Sequence, residues 1–286
     1  ADQLTRDNVH ALAQAWVYRS GDMREAGPGE VGGQKLPMLP GSSWQMTPIL
    51  VGDTLYGCSA SNRLFALDPS TGTEKWSYDP GVDISKEIMV NCRGVSSWQS
   101  PVPTGASCDH RIVTGTLDGR LVAVDARDGK PCADFGDNGQ VSLREGLGEF
   151  AEQEYSVTSP PAILGDRIIT GAMVLDRTHN HMPSGVVRAY NVRTGALEWF
   201  WDPIPPGQQP QFDAEGKPVF RRGTTNVWSV ISVDPERNLV FLPTGNTSTD
   251  FFGGLRDNMD YYSSSVVALK GDTGELAWHF QMVHHD

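Results

Sequence analysis

The chain is written in short runs of alternating apolar and polar residues, separated by glycine turns, and the runs repeat. LFALDPSTGTEKWSYDP (64–80), VRAYNVRTGALEWFWDP (187–203) and VVALKGDTGELAWHF (266–280) are copies of one unit. Each opens on an alternating stretch, passes through a turn closing on Gly72, Gly195 or Gly274, and resumes with Trp76, Trp199 or Trp278. A degenerate copy, LVAVDARDGKPCADF (121–135), keeps Gly129 but has Ala133 in the tryptophan's place. Period-two alternation predicts half-buried strands. An Asp or Asn ahead of a glycine supplies the acceptor and the backbone freedom of a tight turn. A tryptophan on the following strand is large enough to fasten one sheet to its neighbour.

Another strand precedes each copy: VGDTLYGCSA (51–60), HRIVTGT (110–116), GDRIITGAM (165–173) and RNLVFLPTG (237–245). Further upstream, Met46-Thr-Pro, Gln99-Ser-Pro, Thr158-Ser-Pro and Trp228-Ser-Val read as the innermost strands. Repeated four-stranded antiparallel units predict an all-β fold, a β-propeller of which this chain holds about four blades. The units fall near 44–80, 98–135, 156–203 and 226–280, within one partial propeller domain spanning 1–286, and Trp76, Trp199 and Trp278 are expected to pack them. Asn8–Ala15 reads as a short helix, and residues 14–20, with Trp16, as the outer strand of a blade whose start is absent. The reading is half of an eight-bladed ring.

The repeats differ in one place. The first two units have equal length from Asp53 to Gly72 and from His110 to Gly129, whereas the third and fourth are stretched between the same two strands. Both insertions are therefore expected on one rim, where loops on a rigid scaffold carry function. MVLDRTHNHMPSG (173–185) brings Asp176, His179 and His181; TGNTSTDFFGGLRDNMDYY (244–262) brings Asn246, Asp250, Asp257 and Asp260. Oxygen donors from adjacent blades, Asp176 and Asn246, suit a hard cation such as Ca²⁺ or Mg²⁺. The bland reading of such residues is a solvated turn former, and His179 and His181 read as surface loop residues. Arg93, in MVNCRGVSSW, has apolar and small neighbours that favour burial and an anionic partner.

A net charge of −12 argues against nucleic acid or an anionic membrane surface as partner. There is no run of 18 apolar residues. Cys58, Cys92, Cys108 and Cys132 form no CxxC pattern, which argues against zinc. They are compatible with four thiols or with one or two bridges, and Cys92–Cys108 is the bridge expected on loop length.

The repeated Ala-x-Asp/Asn-x-x-Thr-Gly-x-x-x-Trp unit resembles the tryptophan-docking motif of pyrroloquinoline quinone (PQQ) dehydrogenases. CRGVS (92–96), TSPPAI (158–163), SGVVRAYNVRTG (184–195) and the terminal VHHD are similar to the membrane-bound glucose, quinate/shikimate and polyol branch. The resemblance implies PQQ and Ca²⁺ or Mg²⁺ as cofactors, a polyhydroxylated alcohol substrate, a membrane ubiquinone acceptor and the periplasmic side of a bacterial inner membrane. It implies metal ligation by Asp176 and Asn246, and PQQ contacts from Gln45, Arg93, Thr158 and Trp228, the last stacking on the flat ring. Trp98 stands where a glucose dehydrogenase has histidine, Arg177 where many relatives have Asn, and the adjacent-cysteine pair of the alcohol dehydrogenases is missing. In the family a Trp-Asp pair bearing the catalytic base follows His-His-Asp, so no catalytic residue is assigned here and Asp286 is not that base. A non-catalytic propeller scaffold and a soluble periplasmic alcohol dehydrogenase are the alternatives. The paired long loops speak against the first, and the CRGVS motif with the missing cysteine pair against the second.

Overall fold

The computed structural model describes residues 3–31, 34–175, 177 and 179–284. Among these residues there is no α-helix, and four antiparallel sheets of four strands follow one another along the chain. The first is built from Ile49–Val51, Thr54–Cys58, Leu64–Leu67 and Glu74–Tyr78. The second is Ser96–Gln99, His110–Gly115, Arg120–Asp125 and Gln140–Ser142. The third is Ala162–Leu164, Arg167–Thr170, Val187–Asn191 and Leu197–Trp201, and the fourth Ser232–Asp234, Leu239–Pro243, Ser265–Lys270 and Leu276–Gln281. Within each sheet strand order equals chain order, which is the meander of a propeller blade.

The core lies between blades. Tyr56, Leu64 and Trp76 of the first pack on Ile112 and Val122 of the second. Val113 and Leu121 of the second share a cluster with Ile168 and Tyr190 of the third. Ile169, Val187 and Trp199 of the third meet Val240 and Val267 of the fourth. Strands therefore bury both faces, so apolar residues fill runs such as Leu64–Leu67 continuously.

One contact sets the blade spacing. Gly72, Gly129, Gly195 and Gly274 all have φ between 70° and 72°, the left-handed region in which a side chain is strained. Their N–H groups donate to Asp68, Asp125, Asn191 and Lys270 carbonyls, closing four equivalent turns. The bare Cα also makes room for the neighbouring blade's indole. A Cβ at Gly129 would lie 2.6 Å from Trp76, and one at Gly274 2.5 Å from Trp199. Each indole N–H then donates to the carbonyl three residues ahead of that glycine, Trp76 to Ala126 at 2.9 Å and Trp199 to Gly271 at 3.0 Å. Trp16 does the same to Gly72 and Pro69, although residues 14–20 form no strand and the opening helix shrinks to a 3-10 turn at Val9–Ala11. Trp278 does not staple anything among the described residues; it is 45% exposed.

Between the second and third blades the tryptophan is replaced by a set of smaller devices. Gly195 faces Val141 and Gly136, and Gly136 N–H donates to the Thr194 carbonyl. Trp98, buried in the shared core, donates to Asp166 at 3.1 Å and lies under the Arg193 guanidinium. The outer strand of this blade lies at Gln140–Ser142, past the expected 98–135 unit, because Cys132 turns inward to a disulfide with Cys108.

The expected Cys92–Cys108 bridge is therefore wrong: the pairs are Cys58–Cys92 and Cys108–Cys132. Cys92 lies beside Thr114, at one end of the His110–Gly115 strand, and Cys108 precedes its other end. The strand's length separates the two. The innermost strand of the second blade also differs from expectation. Its first residue, Ser96, pairs with Val113 as Ile49 pairs with Tyr56, Ala162 with Ile169 and Ser232 with Phe241. The counterpart of Met46-Thr-Pro is thus Arg93-Gly-Val, and Gln99 ends the strand, with Ser100 and Pro101 after it.

The docking contact predicts a stability effect. Gly129→Ala, which adds backbone strain and a clash with Trp76, is expected to lower stability by roughly 2–5 kcal/mol in urea unfolding. An effect no larger than that of Gly52→Ala, at a positive-φ glycine with nothing near its would-be Cβ, would show that the indole contact contributes nothing.

Candidate functional site

With the register corrected, Gln45, Cys92, Thr158 and Trp228 occupy one equivalent position, ahead of Ile49, Ser96, Ala162 and Ser232 in successive blades. The segments holding them are tied edge to edge. Thr47 N–H donates to the Arg93 carbonyl at 3.0 Å, Arg93 N–H to the Thr158 carbonyl at 2.8 Å, and Ser159 Oγ to the Trp228 carbonyl at 2.7 Å. Ser43–Trp44 runs parallel to Asn91–Cys92, and the Cys58–Cys92 disulfide fastens the second blade's segment to the first blade's middle strand. Backbone on both sides and a disulfide next door leave Arg93 little freedom.

These inner ends meet the two long loops around a cavity of about 460 Å³. Arg93, Thr158 and Trp228 line it from the blade ends, Met173, Leu175 and Arg177 from the third blade's loop, and Asn246, Asp250 and Ser264 from the fourth's. Four residues expected at a cofactor site thus converge with both insertions, on one rim as predicted. Asp176 lies outside the described residues, while its neighbours Leu175 and Arg177 line this same cavity. Gln45 is not among the lining residues; its exposed side chain accepts from Asn91 Nδ2 at 3.2 Å.

The chemistry of the cavity is that of a receptor for a flat anion. Trp228 is 43% exposed, and its indole edge packs on Gly245, where a Cβ would come within 3.3 Å. The Arg93 guanidinium stands 5.2 Å from the Trp228 ring centroid and donates to Thr158 Oγ1. Among the described residues no carboxylate pairs with it, and burial alone lowers its pKa. A half-buried arginine stays protonated, so the site holds a cation in want of an anion. Asn246 and Asp250, whose side chains carry oxygens of the type a hard cation takes, line the same cavity. Flat aromatic face, guanidinium and oxygen donors fit a planar polycarboxylate with a metal beside it.

His179 pairs with Glu154 at 3.0 Å and is a loop residue as expected. His181 and Asp257 are exposed and line a different cavity with Arg222 and Arg256. Trp98 belongs to the core between the second and third blades and does not reach the site. Sequence reasoning missed Ser264, which donates to Asn246; its only signal is the Ser263-Ser-Ser run before the third strand. The clustered Cys108, Cys132 and Asp134 offer no metal site, since both sulfurs are in a disulfide.

Blades docked Trp-on-Gly, with inner ends framing one cavity, define a β-propeller whose candidate site lies where those ends meet the long loops. The whole chain, residues 1–286, matches the family described as PQQ glucose/ethanol/alcohol dehydrogenase, β-propeller domain, and it belongs to that family. It is 38% identical to the quinate/shikimate dehydrogenase (quinone) of Acinetobacter baylyi, over 100% of this chain and 36% of the relative. It is equally similar, at 38%, to the quinoprotein glucose dehydrogenase of Escherichia coli, over 99% of this chain and 35% of the relative. For the glycerol dehydrogenase large subunit of Gluconobacter thailandicus the figures are 38%, 99% and 37%. The chain thus spans only about a third of the length of these relatives. Among solved structures, a europium-containing methanol dehydrogenase superposes with a TM-score of 0.71 at 22% identity, covering 99% of this chain and 46% of that one, which supports the fold.

The cavity wall at Met89 carries a pH dependence. Just before it, Glu87 is 3% exposed, and Arg24 holds the segment through the carbonyls of Ile84, Glu87 and Ile88. Burial first, then the carboxylates of Asp118 and Glu152, push the Glu87 carboxyl up to about 8. Because the folded value lies above the ordinary 4.5, its contribution to stability is full below that value and is lost as pH rises through about 8. Thermal midpoints of the natural protein and Glu87→Gln should agree in their spacing at acid pH and diverge upward, the natural protein losing ground. A spacing independent of pH would mean that Glu87 does not titrate in this range.

Proposed function

We propose that this chain forms the PQQ- and cation-binding part of a quinone-linked dehydrogenase that oxidises a CH–OH group of a polyhydroxylated substrate. The single observation carrying the reading is the shared cavity of Arg93, Thr158, Trp228 and Asn246, with an arginine that lacks a carboxylate among the described residues. Trp228 would support one face of the planar cofactor, and Arg93 and Thr158 would hold its carboxylate and carbonyl oxygens. Asn246 and Asp176 would supply oxygen ligands to Ca²⁺ or Mg²⁺, which would provide Lewis-acid chemistry at the site. PQQ, when bound, takes up the two electrons of the oxidation. The protein's own work is to fix the ring's plane, neutralise its charge and keep water from the covered face. Gln45, at the equivalent position in the first blade, is proposed as an outer polar contact.

Relatives named for glucose, quinate and glycerol support a sugar, cyclitol acid or polyol as substrate. The quinone in the name of the quinate/shikimate enzyme supports ubiquinone as acceptor, and with it the periplasmic side of the inner membrane. No helix among the described residues is long and apolar enough to cross a membrane.

The test is cofactor binding by the full-length protein, read as quenching of tryptophan fluorescence by PQQ in the presence of Ca²⁺. Removing a charge-assisted hydrogen bond costs about 1.5–3 kcal/mol, so Arg93→Ala should weaken PQQ binding by roughly 10- to 150-fold. Gln45→Ala should weaken it much less. Unchanged affinity in Arg93→Ala would remove this cavity as the cofactor site.

A further inference from the structure

The Asn246 amide is held at both ends. Its Nδ2 donates to Asp250 Oδ1 at 2.8 Å, and its Oδ1 accepts from Ser264 Oγ at 2.8 Å. The two partners are not equivalent. A hydroxyl can serve either end of an amide, whereas an ionised carboxylate only accepts and can bond only the NH₂ end. Asp250 therefore decides which way round the amide stands. The choice matters because a hard cation takes the amide oxygen and gains nothing from the nitrogen. An amide turned over would present two N–H donors where an oxygen is needed.

Asp250 is itself fixed through its backbone. The Arg256 guanidinium, 2% exposed, donates from Nη2 to the Asp250 carbonyl at 2.8 Å and from Nε to the Thr249 carbonyl at 3.1 Å. The loop segment carrying Asp250 is thereby clamped to a buried cation while its carboxylate reaches back to Asn246. Groups that orient a metal ligand in this way commonly govern metal affinity by about 10- to 100-fold.

We propose that Asp250 is a positioning residue for the cation site, holding Asn246 with its oxygen presented to Ca²⁺ or Mg²⁺; this rests on the reading of Asn246 as a cation ligand. Asn246→Asp gives the means to test it, because a carboxylate has an oxygen at each end and no orientation to lose. Ca²⁺ affinity would be measured calorimetrically on the full-length protein with saturating PQQ, for D250N, N246D and the double variant. D250N should weaken Ca²⁺ binding about 10- to 100-fold, while the same change in the N246D background should alter it by less than about threefold. The double variant keeps one carboxylate and one amide at the pair, so it preserves the hydrogen bond and controls for any loss of folding in D250N alone. An equal loss in both backgrounds would make Asp250 a direct ligand and overturn the proposal, as would no loss in D250N. If Asn246→Ala leaves Ca²⁺ affinity unchanged, the cation lies elsewhere, and that outcome overturns the underlying reading and the proposal with it.

Discussion

An indole ring laid on a glycine that only glycine can occupy is the constraint from which the rest of this structure follows. Four turns place a glycine at positive φ, and in three of them a tryptophan from the preceding part of the chain fills the space a Cβ would take. The indole N–H is satisfied by the same turn's carbonyl, so a large buried side chain is packed without an orphaned donor. The contact is short-ranged and identical from blade to blade, which makes each blade's position depend on its neighbour alone. Where the tryptophan is missing, Val141 against Gly195, a buried Trp98 and a backbone bond between Gly136 and Thr194 stand in for it.

Fixed spacing at the outside brings the inner ends into hydrogen-bonding distance of one another. The bonds from Thr47 to Arg93, Arg93 to Thr158 and Ser159 to Trp228 turn four equivalent positions into one surface. The chain then varies the residue at each position: a polar amide, a disulfide followed by arginine, a hydroxyl and an aromatic face. A repeat scaffold has thereby become asymmetric chemistry. Arg93 stays half-buried in that surface with no carboxylate partner among the described residues, the feature on which the proposal of an anionic ligand rests.

The blades were legible in the sequence because their signals are local: an alternation, an Asx turn, a glycine and a tryptophan at fixed offsets. The site's rim was legible from unequal repeat lengths alone, and Asn246, Arg93, Thr158 and Trp228 do meet there. The second blade's register was not, because Trp98-Gln-Ser-Pro imitates Trp44-Gln-Met-Thr-Pro while the true counterpart, Cys92-Arg-Gly-Val, shares neither its proline nor its polarity. Disulfide pairing was misread for a related reason. Which end of a strand a cysteine occupies is a matter of register, and loop length does not encode it. Ser264 and the role of Asp250 depend on how a long loop folds back on itself, a tertiary fact with no periodic trace.

On the proposed reading, successive blades contribute equivalent inner residues to a single cofactor cradle. An experimental structure of the full-length protein with PQQ and Ca²⁺ would then show the ring stacked on the Trp228 face, a carboxylate against the Arg93 guanidinium and the cation at Asn246 Oδ1. PQQ bound away from Trp228, for example in the cavity lined by Arg222 and Arg256, with Arg93 still turned to Thr158, would contradict it.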